Sequence, residues 1–242
     1  MRRIKRGKMH NALNNSRGMT LVEMIVCFAL LGIFLIAACA FISTITNIFY
    51  QVKGETYSRQ VSDIILGKIE SELDGAEYDA GVANPKFGTE EVTVGAGTVN
   101  VDYIELFDKT DTHVAISHDP KKKALKIHYY PIEYVDPAKA SLNRVETDWY
   151  FDESVYNGFK IEDMKMIRGD QLYTLLAEGD SSPYQLSKYG IDNVSAGEYP
   201  ENVVVVLLHL NHYTYGDYYT YRFVRMHNLP ETGAWGSTPS GP

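Results

Sequence analysis

The chain has 242 residues, enough for one medium domain plus an accessory segment, with 23 basic against 31 acidic side chains and a net charge of −8. Six of the basic residues, Arg2, Arg3, Lys5, Arg6, Lys8 and Arg17, precede Gly18 with no acid among them. Removing those six from 23 leaves 17 basic against 31 acidic residues, a net −14 beyond Gly18, and so acidic a bulk argues against a nucleic-acid binder, which presents a basic face.

The first predicted element follows the basic stretch. From Met24 to Ile42 no side chain is charged, and the run continues through Ser43 and Thr44 to Ile48. It exceeds the roughly 20 residues a helix needs to cross a bilayer. A buried core helix keeps a polar stripe, and this run has none. The basic flank sets the N-terminal side as cytoplasmic, which puts residues 50–242 outside. Cys27 and Cys39, the only cysteines, both lie in the run. Twelve positions place them about 120° apart around a helix, so they cannot pair within it. The external part therefore holds together without a disulfide.

One residue is out of place in this anchor. Glu23 lies at the start of the apolar segment, where an ionised side chain costs somewhat less than the about 2.5–3.5 kcal/mol charged at mid-bilayer. The surrounding residues, Gly18 followed by Met19-Thr20-Leu21-Val22-Glu23 and an unbroken apolar helix, resemble the processing site of type IV prepilins. The resemblance implies that a membrane peptidase cuts after Gly18 on the cytoplasmic side and methylates the new N-terminal residue, Met19. Glu23 then becomes the fifth residue of the mature chain. Cleavage creates an α-amine that is mostly protonated at neutral pH, and buried opposite charges seek one another. The resemblance implies that Glu23 of one subunit meets the Met19 amine of its neighbour, which helps set the axial stagger of a filament. An acid placed at a helix start by the helix dipole is the plainer account of Glu23. The match in motif covers about residues 17–45. It departs from many major pilins in having Gly32 but no proline along the helix, since the first proline is Pro85.

Two other export signals compete. Ile36-Ala37-Ala38-Cys39 resembles a lipobox, in which the cysteine is lipidated. Against it, Glu23 would fall inside the signal's apolar core, and Cys39 is followed by Ala-Phe-Ile rather than a small polar tether. A secretory cut at Ala38-Cys39-Ala40 would release a soluble domain, but it accounts for neither the long basic leader nor Glu23.

Beyond the membrane, no helix breaker interrupts residues 51–76 before the terminal Gly75 except Gly54 and Gly67. Val61, Ile64, Ile65, Ile69, Leu73 and Ala76 recur at steps of three and four and predict one apolar face, with Arg59, Asp63, Lys68, Glu70 and Glu72 in solvent. Residues 19–76 thus read as one helix, ended by the turn residues around Gly75 and Gly81. From about residue 85 the period becomes two. Strands are predicted at 91–94, 99–107, 113–117, 125–130, 144–151, 159–167, 202–210 and 218–226. The last two form a hairpin across 211–217, and the wholly apolar 203–208 is a central strand buried on both faces. Residues 170–200 resist assignment and read as a variable surface loop. The fold class is α+β: a long N-terminal helix, membrane-spanning in its first half, packed on an antiparallel β-sheet head, which is the pilin architecture by resemblance.

Searched for chemistry, the sequence yields little. His113, His118, His128, His209, His212 and His227 are scattered, without a catalytic or metal-binding spacing. Asp108, Asp111 and Asp119 are oxygen-rich but form no EF-hand loop. No catalytic residue, metal ligand or cofactor is expected. Of the 18 tyrosines 16 lie beyond Tyr57, dense at Tyr213–Tyr221, and strand propensity accounts for them more simply than an adhesive face. Leu229-Pro230-Glu231-Thr232-Gly233 resembles a sortase recognition pentapeptide. No apolar span and basic tail follow it, so coincidence or a vestige is favoured and sortase is the lesser partner.

The expected organisation is a removed cytoplasmic leader (1–18), a transmembrane and filament-core helix (19–48), its amphipathic continuation (49–80), an extracytoplasmic head (81–228) and a flexible tail (229–242). The expected partners are other pilin or pseudopilin subunits, the prepilin peptidase and methyltransferase, and membrane lipid, with no nucleic acid for this subunit. The function expected is a non-enzymatic filament subunit of a pilus, secretion or competence system. Size and the disulfide-free head lean towards a minor subunit. A monomeric, membrane-anchored or lipidated binding protein is the alternative.

Overall fold

The computed structural model describes residues 20–76, 85–107, 112–130, 146–179 and 182–231. The chain divides into two units, Met1–Tyr50 and Gln51–Pro242. Helix α1 (Leu21–Asp74) supplies the described residues of the first unit, apart from Thr20, and opens the second.

In the first unit the helix is apolar all round. Leu21, Phe28, Ile33, Phe34, Ile36, Phe41 and Phe49 are each more than three-fifths exposed. Both of its threonine hydroxyls past the first turn bond inside the helix: Thr44 Oγ1 donates to Ala40 O at 3.1 Å and Thr46 Oγ1 to Ile42 O at 2.8 Å. This internal bonding lets threonine sit in an apolar medium without an orphaned donor.

The second unit folds the rest of the chain around the later turns of α1. Val61, Ile65, Leu66, Ile69 and Leu73 are buried, and Ala76 just past the helix is buried with them. The predicted face needs two corrections. Ile64 is 47% exposed, because the buried stripe widens from the row 61, 65, 69 and 73 on its other side, through 58, 62 and Leu66. Ser58 and Ser62, polar in sequence, are buried because their hydroxyls donate to the carbonyls of Glu55 and Arg59 at 3.0 and 2.9 Å. Gly54 is required by contact: a Cβ there would lie 2.8 Å from the Tyr215 side chain.

Among the described residues eight strands follow, close to the predicted set. β1 (Lys86–Val94), β2 (Gly97–Phe107), β3 (His113–Asp119), β4 (Ala124–Tyr129) and β5 (Thr147–Tyr150) form an antiparallel meander in chain order. β1 and β2 are joined through Gly95, whose φ of +62° is free for glycine in a tight hairpin. Ile104, Ile116 and Ile127 stand opposite one another across three strands, all fully buried. The one antiparallel sheet expected is in fact two. After β5 the chain leaves the sheet through α2 (Glu153–Tyr156), capped by Asp152 and stopped by Asn157 at φ 48°. It then starts a second antiparallel sheet of β6 (Lys160–Arg168), β7 (Val203–His212) and β8 (Gly216–Arg225). The sheets are tied where Ile161 N donates to Lys123 O at 2.8 Å, Leu125 N to the Tyr156 hydroxyl at 2.8 Å, and Lys123 pairs with Glu162 at 2.7 Å.

β7 is the central strand its sequence predicts. Val204, Val206, Leu208 and Leu210 join α1 and both sheets in the larger core. Val205 and Leu207 face the other way, into a second core with Ile167, Leu172, Leu186, Tyr189 and Ile191. Residues 170–200, expected as a surface loop, therefore include the cover of this second face. α3 (Leu172–Ala177) and the 3-10 turn Leu186–Tyr189 carry its apolar anchors. The connection between β7 and β8 is also shorter than expected, only residues 213–215, since His212 already faces Gly216.

Candidate functional site

The functional residues expected from the sequence, Gly18, Met19 and Glu23, lie close together in the chain. Gly18 and Met19 fall outside the described residues, as do the leader, Asp108, Asp111, Thr232 and Gly233. Glu23 is described. Its Oε2 accepts from Thr20 N at 2.8 Å and from Thr20 Oγ1 at 3.1 Å, while Glu23 N lies 3.3 Å from Thr20 Oγ1. Thr20 precedes the first helical residue and Glu23 is the third, so the pair forms a reciprocal capping box. Two amide donors that the first turn leaves without helical partners are thereby satisfied. The sequence carries this signal, a threonine three residues before a glutamate at the head of an apolar run, and the reading of Glu23 by charge alone passed over Thr20. Both bonds to Glu23 fall on one carboxylate oxygen.

The flanking helix is built for an apolar surrounding. Cys27 and Cys39 are free thiols on its exposed surface. Among the described residues this is one helix long and apolar enough to cross a membrane.

Elsewhere the polar groups serve local structure. His128 Nδ1 lies 2.7 Å from Asp148, His209 Nε2 lies 2.9 Å from Asp217, and His212 Nδ1 accepts from the turn amides of Thr214 and Tyr215 at 3.0 and 3.3 Å. Asp119 closes its own turn by accepting from Lys121 N and Lys122 N at 2.8 and 3.2 Å, and it takes the Tyr150 hydroxyl at 3.0 Å. Burial pushes its carboxyl up, but these three donors outweigh burial and hold it below the usual range. His118 is different: it is 2% exposed and neither ring nitrogen has a partner among the described residues. Burial pushes its pKa down against the raising pull of nearby Asp163 and Asp119. No grouping of three His, Cys, Asp or Glu able to hold a metal occurs among the described residues. A cleft of about 430 Å³ lies between Gly54, Glu55, Ser58, Phe159 and Tyr215.

The tyrosines are mostly structural. Tyr219 stacks on His209 at 4.2 Å, Tyr215 meets Tyr57 edge-on at 6.3 Å, and Tyr218 packs on the larger core. Between Tyr213 and Tyr221, where the tyrosines are densest, Tyr213 is 93% exposed and stacks on His212 at 4.6 Å.

A family model described as the prokaryotic N-terminal methylation motif matches residues 13–38. This is the type IV prepilin-like signature, and it spans both Gly18–Met19 and Glu23. No curated protein and no solved structure matches the chain.

Proposed function

We propose that this chain is a prepilin-processed filament subunit, cut after Gly18, N-methylated at Met19 and built into an extracytoplasmic filament as a minor pilin or pseudopilin. The observation that carries the reading is the methylation motif over residues 13–38, continuous with a helix that is apolar on every side. Such a helix exposes surface that only lipid or other apolar helices can cover. The signature points to a structural subunit rather than an enzyme, with other pilin-like subunits and the prepilin peptidase as partners.

The mechanism follows from the chemistry of the new terminus. The basic leader holds the N-terminal side in the cytoplasm while residues 19–48 occupy the bilayer. Cleavage replaces an amide at Met19 with an amine that stays cationic after methylation. Glu23 gives its second carboxylate oxygen to that amine on a neighbouring subunit, while its first stays in the capping box. In a dry helix bundle the pair offsets the desolvation that each charge suffers alone. Pilus, type II secretion and competence filaments all fit this scheme.

One observation favours a second reading, a membrane-anchored binding protein that never assembles: Thr20 already satisfies Glu23 within its own chain. Mass spectrometry of the N-terminus of membrane-extracted protein separates them. A methylated Met19 supports processing as a prepilin, whereas an uncut Met1 or a diacylated Cys39 overturns it. Glu23→Val should insert into membrane yet fail to enter filaments, and unchanged incorporation removes the proposed pairing.

A further inference from the structure

The pentapeptide Leu229-Pro230-Glu231-Thr232-Gly233 takes no part in the proposed function, yet its first three residues are built into the head. Leu229 is 4% exposed and belongs to the larger core. Asn202, itself 2% exposed, donates from Nδ2 to Met226 O at 3.4 Å and to Leu229 O at 3.1 Å. Met226 N donates to Asn202 O at 2.9 Å, Leu229 N to Met226 O at 3.3 Å, and Glu201 N to Glu231 O at 3.2 Å. Arg225 pairs with Glu231. On the helix side, His227 Nδ1 lies 2.8 Å from Asp74 Oδ1, and Asn228 Nδ2 donates to Asp74 O at 3.2 Å. One short stretch thus reaches the last residue of α1, the residues leading into β7 and the end of β8.

We infer that residues 226–231 are a clasp that closes the head and withholds Leu229 from any enzyme reading this stretch as an extended peptide. Extended-peptide recognition uses the peptide's backbone donors and acceptors together with its side chains. Here the Leu229 carbonyl and side chain are already committed inside the head. Presenting them outward would take from the buried Asn202 amide the nearer of its two acceptors, a costly loss for a group shut off from water. Local opening is therefore required before the pentapeptide can be read. The clasp also supplies a donor to the carbonyl of Asp74, one of the last four that a helix end leaves unmet. This inference concerns the head alone and does not depend on processing at Gly18.

The test uses full-length protein in detergent micelles with a sortase specific for Leu-Pro-x-Thr-Gly and a fluorescent triglycine. Transpeptidation breaks the Thr232–Gly233 amide, joins Thr232 to the triglycine amine, and releases the segment from Gly233 onward with a free amine. Wild-type protein should label at least about tenfold more slowly than a synthetic peptide of residues 226–237, the effect of an opening that costs about 1.4 kcal/mol. Arg225→Ala, at an exposed pair, and Asn202→Ala, at the buried donor to the clasp, should each raise the rate towards that of the peptide. Equal rates for wild type and peptide overturn the clasp, and so does a slow wild type that neither variant accelerates. An unlabelled peptide overturns the idea that anything readable is withheld. Amide exchange on the unsubstituted protein reads the same feature: the N–H groups of Leu229 and Glu201 should be protected, and peptide-like exchange there overturns the clasp.

Discussion

Helix α1 is one element in two solvents. Between residues 21 and 50 its large apolar side chains are exposed on every side, and between 51 and 74 the chain's own strands bury a single stripe. The first stretch gains nothing from its own fold and depends on lipid or neighbouring helices. The second is held by roughly 25 cal/mol for each Å² of apolar surface removed from water. Substitutions of one chemical type should therefore have opposite readouts in the two halves.

Core truncation gives the widest separation. Leu73→Ala, at a fully buried site, should cost about 2–5 kcal/mol of head stability. Phe34→Ala, at a 69% exposed site, should leave the head's urea midpoint unchanged. Equal losses would dissolve the distinction. Glycine gives a narrower one. Gly54→Ala drives a methyl into Tyr215 and should cost about 1–3 kcal/mol, whereas nothing lies within 4 Å of a Cβ at Gly32 and Gly32→Ala should be tolerated or mildly favourable. Thermal melts of the two variants compare them directly.

Two smaller effects concern the head alone. Burial holds the folded pKa of His118 below its ordinary 6.5, so the unfolded chain binds more protons there. The stability linked to His118 is present above about pH 6.5 and is lost as pH falls below it towards the lowered folded value. His118→Phe should flatten the fall in urea midpoint between pH 7 and pH 5; an unchanged slope assigns the acid sensitivity elsewhere. The smallest effect is at Arg222, which bridges Asp63 at 2.8 Å and Glu70 at 3.2 Å on α1. Both acids are at least half exposed, so Arg222→Ala should cost about 0.2–1 kcal/mol and less in high salt.

Much of this architecture was legible in the sequence because periodicity reports which face of an element is buried. It marked α1, all eight strands and the doubly buried β7. Periodicity does not report which strand pairs with which, and so the division into two sheets was hidden. The cover formed by Leu172, Leu186, Tyr189 and Ile191 was hidden too, because its apolar residues follow neither period. Ser58 and Ser62 read as polar until their hydroxyls find carbonyls in the same helix. At the N-terminal site, Glu23 stands out by the cost of a charge in an apolar run, and Gly18 and Met19 are expected from the resemblance to a prepilin processing site. Thr20 was missed although its capping pattern was present, since the unusual acid drew the whole account.

The two-sided burial of β7 has a consequence for the order of events during synthesis. Ile65, Ile69 and Leu73 leave the ribosome early, while Val204, Val206 and Leu208, which complete their core, come near the end of the chain. At synthesis rates of about 5–20 residues per second, the apolar stripe of α1 waits on the order of ten seconds for its partners. Throughout that interval the meander β1–β5 can pair locally, but the core cannot close. The nascent subunit is thus sticky for as long as it is incomplete, and folding of the head is coupled to delivery of its last fifth.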